Sequence, residues 1–390
     1  LSIRRSTGSA YRLTLDGRSK YNASDGNPSW LPYSGGSRFR IRASNPVSTL
    51  NTATSNTTVR GFRIVATNGQ IIFWWGGDNV VIEDNEGTSS AGATYGPGIY
   101  YNYTNEERTG CPVASGRESC VAFRNITIRD NYVHDTFGEG IYVAGCANAV
   151  GCMSHTGVTI EGNTLRNIAV FGGEPDAIDV KDGIRGLVIR GNDIRLQRDS
   201  RDGISLESGA LVERNYVEGA GRMGIAFSAY WNDSGATRLG SVARNNVIVN
   251  TGGNTAVAYS SRAGIYIDSD ASGDRFTDVA LLNNTIVRVL SPTGTGDGLS
   301  VGATGTTVRN NIILDTGGFG INALEGTIAA HSHNVIFKAA VGSTVVRYGR
   351  STYSLSDLGA FESTAQGEDP LLISTLAPYQ PSNFGLRTGS

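Results

Sequence analysis

The chain has 390 residues, a formal net charge of −2 and no run of basic residues, which argues against nucleic acid or an anionic membrane as a partner. No apolar stretch approaches the about 18 residues of a membrane-spanning helix. The 52 glycines supply turns with positive φ and permit close stacking of the backbone. Composition therefore excludes these partners but does not identify a fold.

Residues 1–56 have an irregular, strand-like pattern, and a repeat begins at about residue 57. Each repeat has two aliphatic residues at alternate positions followed by asparagine, as in V-T-I-E-G-N at Asn163. The residue two positions after each of the last eight asparagines is aliphatic. The nine asparagines are Asn85, Asn131, Asn163, Asn192, Asn215, Asn246, Asn284, Asn311 and Asn334.

The spacing of the repeat predicts one coil of three short strands and three turns per unit. Successive asparagines are 46, 32, 29, 23, 31, 38, 27 and 23 residues apart, so the longer units contain inserted loops. The aliphatic residues alternate with polar ones, so Val158 and Ile160 are predicted to point inward and Thr159 and Glu161 outward. Stacked coils of this kind form a parallel β-solenoid. We expect each asparagine to adopt the left-handed conformation and to bond its equivalents in neighbouring coils.

This repeat resembles the right-handed parallel β-helix of the pectate-lyase-like proteins, and the handedness comes from that resemblance. We therefore expect an all-β chain with a single domain, about a dozen coils and almost no α-helix. Residues 1–56 would form the N-terminal coils and cap, residues 57–337 the regular coils, and residues 338–390 the C-terminal cap and tail. The tail looks like the C-terminal cap of secreted β-helix proteins, in which further residues normally follow.

The four cysteines form two close pairs, Cys111/Cys120 and Cys146/Cys152, each beside an insertion. Two disulfides that clip the loops are the first interpretation and imply a secreted protein whose signal peptide has been removed. Zinc ligation is the rival interpretation, but CxxC spacing and a histidine pair are missing. The third interpretation is that all four cysteines are reduced thiols in a cytosolic protein.

A second phrase, usually Gly-Ile-x-aliphatic, follows most of the asparagines and directs attention to residues 171–183. In A-I-D-V-K, Ile178 and Val180 are predicted to point inward, so Asp179 and Lys181 point outward about 6–7 Å apart. The equivalent outward residue in the coil before is Tyr142. The coil after places Ser205 and Glu207 about 4.8 Å away.

Lys181 is the candidate catalytic base because lysine is rare in this chain. Of the 33 basic residues only Lys20, Lys181 and Lys338 are lysine. Lysine can lose its proton whereas arginine in practice cannot. The alternative interpretation is a surface ion pair with Asp179 or Glu207. Nearby carboxylates raise the pKa of a lysine, so a base role requires a metal ion or bound substrate to offset them.

Carboxylates precede several of these strands and suggest a calcium site. Glu139, Asp176, Asp202 and Asp297 form a predicted column, and Glu174 lies two residues before Asp176. Glu139, Glu174 and Asp176 are hard oxygen ligands on adjacent coils, which suits Ca²⁺. The alternative interpretation is a solvated acidic patch or aspartates that cap turns.

The segment E-P-D-A-I-D-V-K resembles E-x-E-x-I-x-V-K of polysaccharide lyase family 6, and family 9 pectate lyases similarly combine a β-helix, bound Ca²⁺ and a lysine base. The resemblance implies that Glu174 and Asp176 bind Ca²⁺ and that Lys181 is the base, with Glu139 as a third ligand. Where family 6 has Arg-His-Gly one coil later, this chain has Glu-Ser-Gly. The catalytic acid is therefore open, and the replacements considered are Arg201, Arg222 and Tyr142.

Three functions follow from these residues. The first is a polysaccharide lyase that cleaves a uronate polysaccharide by calcium-assisted β-elimination. The second is a glycoside hydrolase that uses Asp179 and Glu207, expected about 8 Å apart as in an inverting pair. The third is a non-enzymatic carbohydrate-binding solenoid.

The substrate-binding side chains predicted for these functions are Asp179, Asp202, Ser205, Glu207, Tyr230 and Trp231. Tyr142 would join the last two in stacking on sugars. The predicted partner is a polysaccharide outside the cell, and the sequence leaves monomer and trimer both open.

Overall fold

The structure is a computed structural model that describes residues 2–3, 13–16, 42–43, 55–66, 70–75, 77–89, 97–102, 123–143, 155–168, 176–197, 201–228, 238–253, 262–268, 276–290, 296–338, 343–374 and 380–387. The chain divides into two compact units. The first comprises Leu1–Asp193, Leu206–Ser208 and Trp231–Gly235, and the second comprises Ile194–Ser205, Gly209–Tyr230 and Ala236–Ser390. Cys111, Cys120, Cys146, Cys152, Glu174, Tyr230 and Trp231 lie outside the described residues, so the predictions made for them stay predictions.

The described residues up to Arg195 are built almost entirely from short strands. In chain order these are β1 (Ser2–Ile3), β2 (Leu13–Asp16), β3 (Arg42–Ala43), β4 (Thr57–Arg60), β5 (Arg63–Ala66), β6 (Ile72–Trp75), β7 (Val80–Glu83), β8 (Glu86–Ser89), β9 (Ile99–Asn102), β10 (Arg124–Arg129), β11 (Tyr132–His134), β12 (Ile141–Val143), β13 (His155–Glu161), β14 (Thr164–Arg166), β15 (Ile178–Val180), β16 (Ile184–Arg185), β17 (Leu187–Arg190) and β18 (Asp193–Arg195).

The remaining residues continue the same pattern. The strands are β19 (Ile204–Leu206), β20 (Ala210–Glu213), β21 (Tyr216–Glu218), β22 (Met223–Phe227), β23 (Arg238–Leu239), β24 (Val242–Arg244), β25 (Val247–Thr251), β26 (Arg262–Ile267), β27 (Phe276–Thr277), β28 (Ala280–Leu282), β29 (Thr285–Val289), β30 (Gly296–Val301), β31 (Thr306–Arg309), β32 (Ile312–Leu314), β33 (Ile321–Ala323), β34 (Ile328–Ser332), β35 (Val335–Phe337), β36 (Thr344–Tyr348) and β37 (Ser351–Ser354). The helical elements described are α1 (Leu358–Phe361) and a 3-10 turn at Pro381–Phe384.

Each unit is built from three parallel sheets, here numbered one to three. In the first unit they run β2-β4-β7-β10-β13-β17, β5-β8-β11-β14 and β6-β9-β12-β15, with β16 paired to β13. In the second unit they run β20-β24-β28-β31-β34, β21-β25-β29-β32-β35 and β22-β26-β30-β33-β36, with β37 added antiparallel to β36. Strands separated by a whole coil in sequence pair in register, so the predicted parallel β-helix with almost no α-helix is confirmed.

The aliphatic residues that follow the asparagines form the predicted buried ladder. In the first unit Val133 pairs with Leu165, and both side chains are at most 1 % exposed. In the second unit the paired, fully buried residues are Val217, Ile248, Ile286, Ile313 and Ile336. Strand alternation places one aliphatic side chain per coil at the same point of the interior. The predicted register is therefore correct.

The repeated asparagines are buried and bond one another from coil to coil. The Asn163 Oδ1 accepts from the backbone N–H of Asn131 at 3.0 Å and from its side-chain amide at 3.0 Å. The Asn163 amide in turn donates to Asn192 Oδ1 and to the Ile128 carbonyl. These contacts satisfy polar groups that would otherwise be buried without partners.

The prediction that these asparagines adopt the left-handed conformation is wrong by one position. The residue before each asparagine has the positive φ, such as Asp130 at 54° and Gly162 at 64°. Aspartate, asparagine and glycine tolerate this conformation better than other residues. The turn is thus made by the preceding residue, and the asparagine is free to point inward.

The asparagine ladder of the second unit ends on a carboxylate. The Glu362 Oε1 accepts from the Asn334 backbone N–H at 2.9 Å, and its Oε2 accepts from the Asn334 amide at 2.8 Å. Glu362 is 4 % exposed and follows α1 directly. The carboxylate thus supplies the acceptors that a further coil would otherwise provide.

Replacing a ladder asparagine should destabilise the fold strongly. Asn163→Ala leaves buried donors of Asn131 without acceptors, and we expect a loss of about 2 kcal/mol or more in the free energy of unfolding. Thr159→Ala, on the outer face of the same coil, is the matched control and should cost much less. Urea unfolding of both variants measures the difference, and equal losses would contradict the role of the ladder.

Candidate functional site

The outer face of sheet three in the first unit carries a row of polar and aromatic side chains. Tyr100 on β9, Tyr142 on β12 and Asp179 on β15 pair in register. Ile178 and Val180 flank Asp179 and are fully buried in the interior, as the alternation predicted. The ring centroids of Tyr100 and Tyr142 are 4.8 Å apart, with the planes at 90°. The predicted equivalence of Tyr142 and Asp179 is confirmed.

Lys181 lies between two buried carboxylates. Its Nζ is 2.9 Å from Asp179 Oδ2 and 3.0 Å from Glu207 Oε1. The side chains of Asp179 and Glu207 are 1 % and 3 % exposed, whereas that of Lys181 is 16 % exposed. Lys181 is therefore the most exposed side chain of the three.

Backbone contacts fix this geometry. The Lys181 N–H donates to the Val143 carbonyl at 3.0 Å, and the Glu207 N–H donates to the Val180 carbonyl at 2.9 Å. The Ser208 hydroxyl donates to the Lys181 carbonyl at 2.8 Å and accepts from the Ile184 N–H at 3.1 Å. The sequence interpretation missed Ser208, although its place directly after Glu207 in the predicted site was a signal for it.

The electrostatics of the cluster follow from burial and from the two carboxylates. Burial alone would lower the pKa of Lys181, but Asp179 and Glu207 outweigh it and raise that pKa above the usual lysine range. Burial, only partly offset by Lys181, raises the pKa of Glu207 to about 8. Lys181 is thus an ammonium in the free protein, and Glu207 binds a proton unusually well for a carboxylate.

The facing oxygens of the two carboxylates lie close together. The Lys181 Nζ is 2.9 Å from one oxygen and 3.0 Å from the other, so those oxygens are at most 5.9 Å apart. The sequence-based expectation of about 8 Å, within the about 6.5–9.5 Å of inverting pairs, concerns the two carboxyl groups as a whole and stays a prediction.

Tyr142 completes the surroundings of Lys181. The Nζ lies over the Tyr142 ring, 5.6 Å from its centroid. Such a cation–π contact favours the charged amine and orients the ring beside it. Tyr142 is half-buried, so part of the ring is accessible to a ligand.

Glu139 and Asp176, two of the three predicted calcium ligands, lie on adjacent coils. Each precedes its strand by two residues, and the Gly140 N–H donates to the Asp176 carbonyl. Their side chains are 0 % and 5 % exposed. Within the described ranges no group of three or more His, Cys, Asp or Glu side chains has metal-binding proximity. Calcium binding therefore stays a prediction that also depends on Glu174.

The other two carboxylates of the predicted column, Asp202 and Asp297, belong to the second unit and accept hydrogen bonds from backbone N–H groups there. Asp202 is fully buried, accepts from the Met223 N–H at 3.1 Å and pairs with the Arg222 guanidinium. The Arg201 carbonyl accepts from the Arg222 N–H at 2.8 Å. Asp202 consequently has no exposed surface for the predicted substrate contact, and Arg222 is held against it. Ser205, also in this unit, is 9 % exposed.

Comparison with known proteins supports the fold. A family model described as a right handed beta helix region matches residues 119–288. Together with the three parallel sheets, this match defines the fold as a right-handed parallel β-helix. No curated protein sequence matches the chain. No helix in the described ranges is long and apolar enough to cross a membrane.

Several solved structures are similar at low identity. The Azotobacter vinelandii mannuronan C-5 epimerase AlgE6 A-module is 15 % identical, with coverage of 85 % of this chain and 89 % of that one and a TM-score of 0.43. The Streptococcus pneumoniae surface adhesin PfbA is 14 % identical, with coverage of 73 % and 57 % and a TM-score of 0.40. The alginate lyase AlyF-OU02 is 12 % identical, with coverage of 94 % and 90 % and a TM-score of 0.40.

The raised pKa of Glu207 predicts a pH-dependent stability. A folded-state pKa above the usual 4.5 stabilises the fold fully below about pH 4.5, and this contribution is lost as pH rises through about 8. Glu207→Gln removes the titrating group. We expect the melting temperature of the variant, relative to the unmodified protein, to be higher at about pH 9 than at about pH 5. A difference that is independent of pH would contradict the assignment.

Proposed function

We propose that the chain is a polysaccharide lyase in which Lys181 removes a proton from a uronate residue of the substrate. The observation that carries the proposal is the greater exposure of the Lys181 side chain, at 16 %, beside two carboxylates that are 1 % and 3 % exposed. Lys181 is therefore the group of this cluster proposed to act on the sugar.

The base role requires that Lys181 lose a proton before it acts, because its pKa is raised in the free protein. Glu207 is the proposed acceptor when it is ionised, that is, above its pKa of about 8, because its Oε1 is 3.0 Å from Nζ. Sugar binding excludes water from the pair and so disfavours the charged forms of both groups. The proton then moves from Nζ to Oε1, which leaves a neutral amine and a neutral acid.

The neutral amine takes the C5 proton of the uronate. The C–H electron pair forms the C4–C5 double bond, and the bond from C4 to the glycosidic oxygen breaks. That oxygen requires a proton, and Tyr142 is the candidate donor because its ring lies beside Nζ. Arg201 and Arg222 are less suited, because Arg222 pairs with the buried Asp202 and Arg201 contributes its carbonyl to the same turn.

The substrate class rests on the resemblance of E-P-D-A-I-D-V-K to polysaccharide lyases and on the surface beside Lys181. The half-buried Tyr142 ring is a stacking surface for a sugar, since aromatic faces present a large apolar area with little loss of flexibility. A uronate polysaccharide is therefore the proposed partner. The protein would act outside the cell, where the two predicted disulfides can form.

Calcium is proposed as an auxiliary ion. When bound, it would neutralise the uronate carboxylate and so acidify the C5 proton. Glu139 and Asp176 are hard oxygen ligands on adjacent coils and fit the ion in part, with Glu174 required to complete the set. The proton transfers above use only Lys181 and its neighbours.

Lys181→Arg tests the base directly. Arginine keeps the positive charge and the contacts with the carboxylates but cannot act as a base, so we expect about a 10²-fold or larger loss of activity with the fold intact. The assay is the ultraviolet absorbance of the unsaturated product from alginate, pectate and glycosaminoglycans. Arg190→Lys, an exposed ion pair with Glu161 on sheet one, is the matched control and should keep full activity.

A hydrolase is the second candidate, favoured by the raised pKa of Glu207, which suits a general acid. It predicts that Lys181→Arg keeps most activity whereas Asp179→Asn and Glu207→Gln abolish it. New reducing ends would then appear without the ultraviolet absorbance. That combination would replace the lyase proposal.

Removal of calcium tests the ion separately. Glu174→Ala should abolish activity, and it should lower the melting temperature only when calcium is present. Excess EDTA should likewise stop cleavage by the unmodified protein. Full activity in EDTA would remove calcium from the proposal and leave the role of Lys181 to its own test.

A further inference from the structure

A second charged cluster lies on the outer face of sheet three in the second unit. Asn322 on β33 and Arg347 on β36 pair in register, so both side chains point away from the interior. Asp297, at the start of β30, lies beneath them and is 8 % exposed. None of these residues takes part in the proposed cleavage.

Arg347 is held in place on two sides. Its Nε donates to Asn322 Oδ1 at 2.9 Å, and its guanidinium carbon lies 4.7 Å from the centroid of the Phe319 ring. Stacking on an aromatic face and a hydrogen bond at Nε together fix both the plane and the rotation of a guanidinium. The side chain is thus arranged before any ligand arrives.

Asn322, the hydrogen-bond partner of Arg347, is itself held in one orientation. The Asn322 amide donates to Asp297 Oδ2 at 2.6 Å, so its oxygen is the atom that faces Arg347. Asp297 Oδ1 accepts from the Phe319 N–H at 2.8 Å. Asp297 therefore orients both Asn322 and the segment that carries the Phe319 ring, and its carboxylate also interacts electrostatically with Arg347.

The terminal nitrogens of Arg347 remain available. Among the residues that the structure describes, they have no hydrogen-bond partner, and Arg347 is only half-buried. A guanidinium whose Nε is occupied still presents N–H groups in a fork that matches the two oxygens of a carboxylate. Asn322 is an uncharged neighbour, and the opposing charge near Arg347 is the buried carboxylate of Asp297.

We propose that Arg347, positioned by Asn322, Phe319 and Asp297, binds the carboxylate of an acidic sugar. The site is a binding site in the second unit. Its ligand is an oligosaccharide that carries uronate carboxylates, and a sulfate ester would offer similar oxygen geometry. The acidic-sugar class of the ligand rests on the proposed function, whereas the carboxylate-binding geometry of Arg347 does not depend on Lys181.

The test is isothermal titration with an oligouronate, its neutral methyl ester and a sulfated oligosaccharide. We expect Arg347→Gln and Arg347→Lys each to weaken binding of the oligouronate about tenfold or more, because lysine keeps the charge but lacks the fork. Asn322→Ala should weaken binding less, because the charge remains. The neutral ester should show no dependence on Arg347.

Arg350→Gln is the matched control, since Arg350 is exposed and three residues away. An equal loss with Arg350→Gln, or no loss with Arg347→Gln, would overturn the proposal. Tighter Arg347-dependent binding of the sulfated sugar would overturn the assignment to a carboxylate. The same measurements in the Lys181→Arg background should give the same Arg347 effect, so failure of the lyase proposal does not alter the result.

Discussion

The asparagine ladder is the interaction on which the rest of the structure depends. A ladder amide such as that of Asn246 accepts two hydrogen bonds from Asn215 in the coil before and donates to the Val212 carbonyl. These bonds form only when the asparagines of successive coils are aligned. They therefore fix the register of the strands that precede and follow each asparagine. A slip of one residue would bury polar side chains and expose aliphatic ones. The ladder is therefore a constraint on every outward-facing position as well as on the interior.

Because the register is fixed, outward-facing residues at equivalent positions of successive coils stack in rows on the surface. On sheet one, Arg129 pairs with Glu83, and in the next coils Arg190 pairs with Glu161. Such exposed ion pairs contribute little stability individually. The same geometry on sheet three has a larger chemical effect, because the carboxylates beside Lys181 are buried. Their desolvation raises the pKa of Glu207.

Much of the fold could be predicted because the positions of the repeated asparagines indicate which residues of successive coils pair. The alternation at Val158 and Ile160 and the outward positions of Tyr142 and Asp179 followed from strand geometry alone. The left-handed turn was assigned one residue too late because asparagine favours that conformation and its neighbour was not considered. Glu362 was missed because a carboxylate that ends the ladder lies outside the repeat.

The candidate site was predicted in part. The contact of Lys181 with both carboxylates followed from stacking, but their burial did not, because the repeat does not report how neighbouring side chains cover an outward-facing position. The arrangement around Arg347 was also invisible in the sequence. It depends on Asn322 and Phe319 being brought beside Arg347 by pairing across a coil, and no local motif marks them.

The most direct test of the account is the protonation state of Lys181 with and without sugar. Because the chain has only three lysines, Lys20, Lys181 and Lys338, selective ¹⁵N labelling of lysine gives a spectrum that the Lys181→Arg variant can assign. In the free protein, we expect the Lys181 amine to stay charged above the usual lysine range. With a bound oligouronate product, its titration should move to lower pH as Glu207 takes up the proton. A Lys181 signal that remains an ammonium at the same pH in both states would contradict the account.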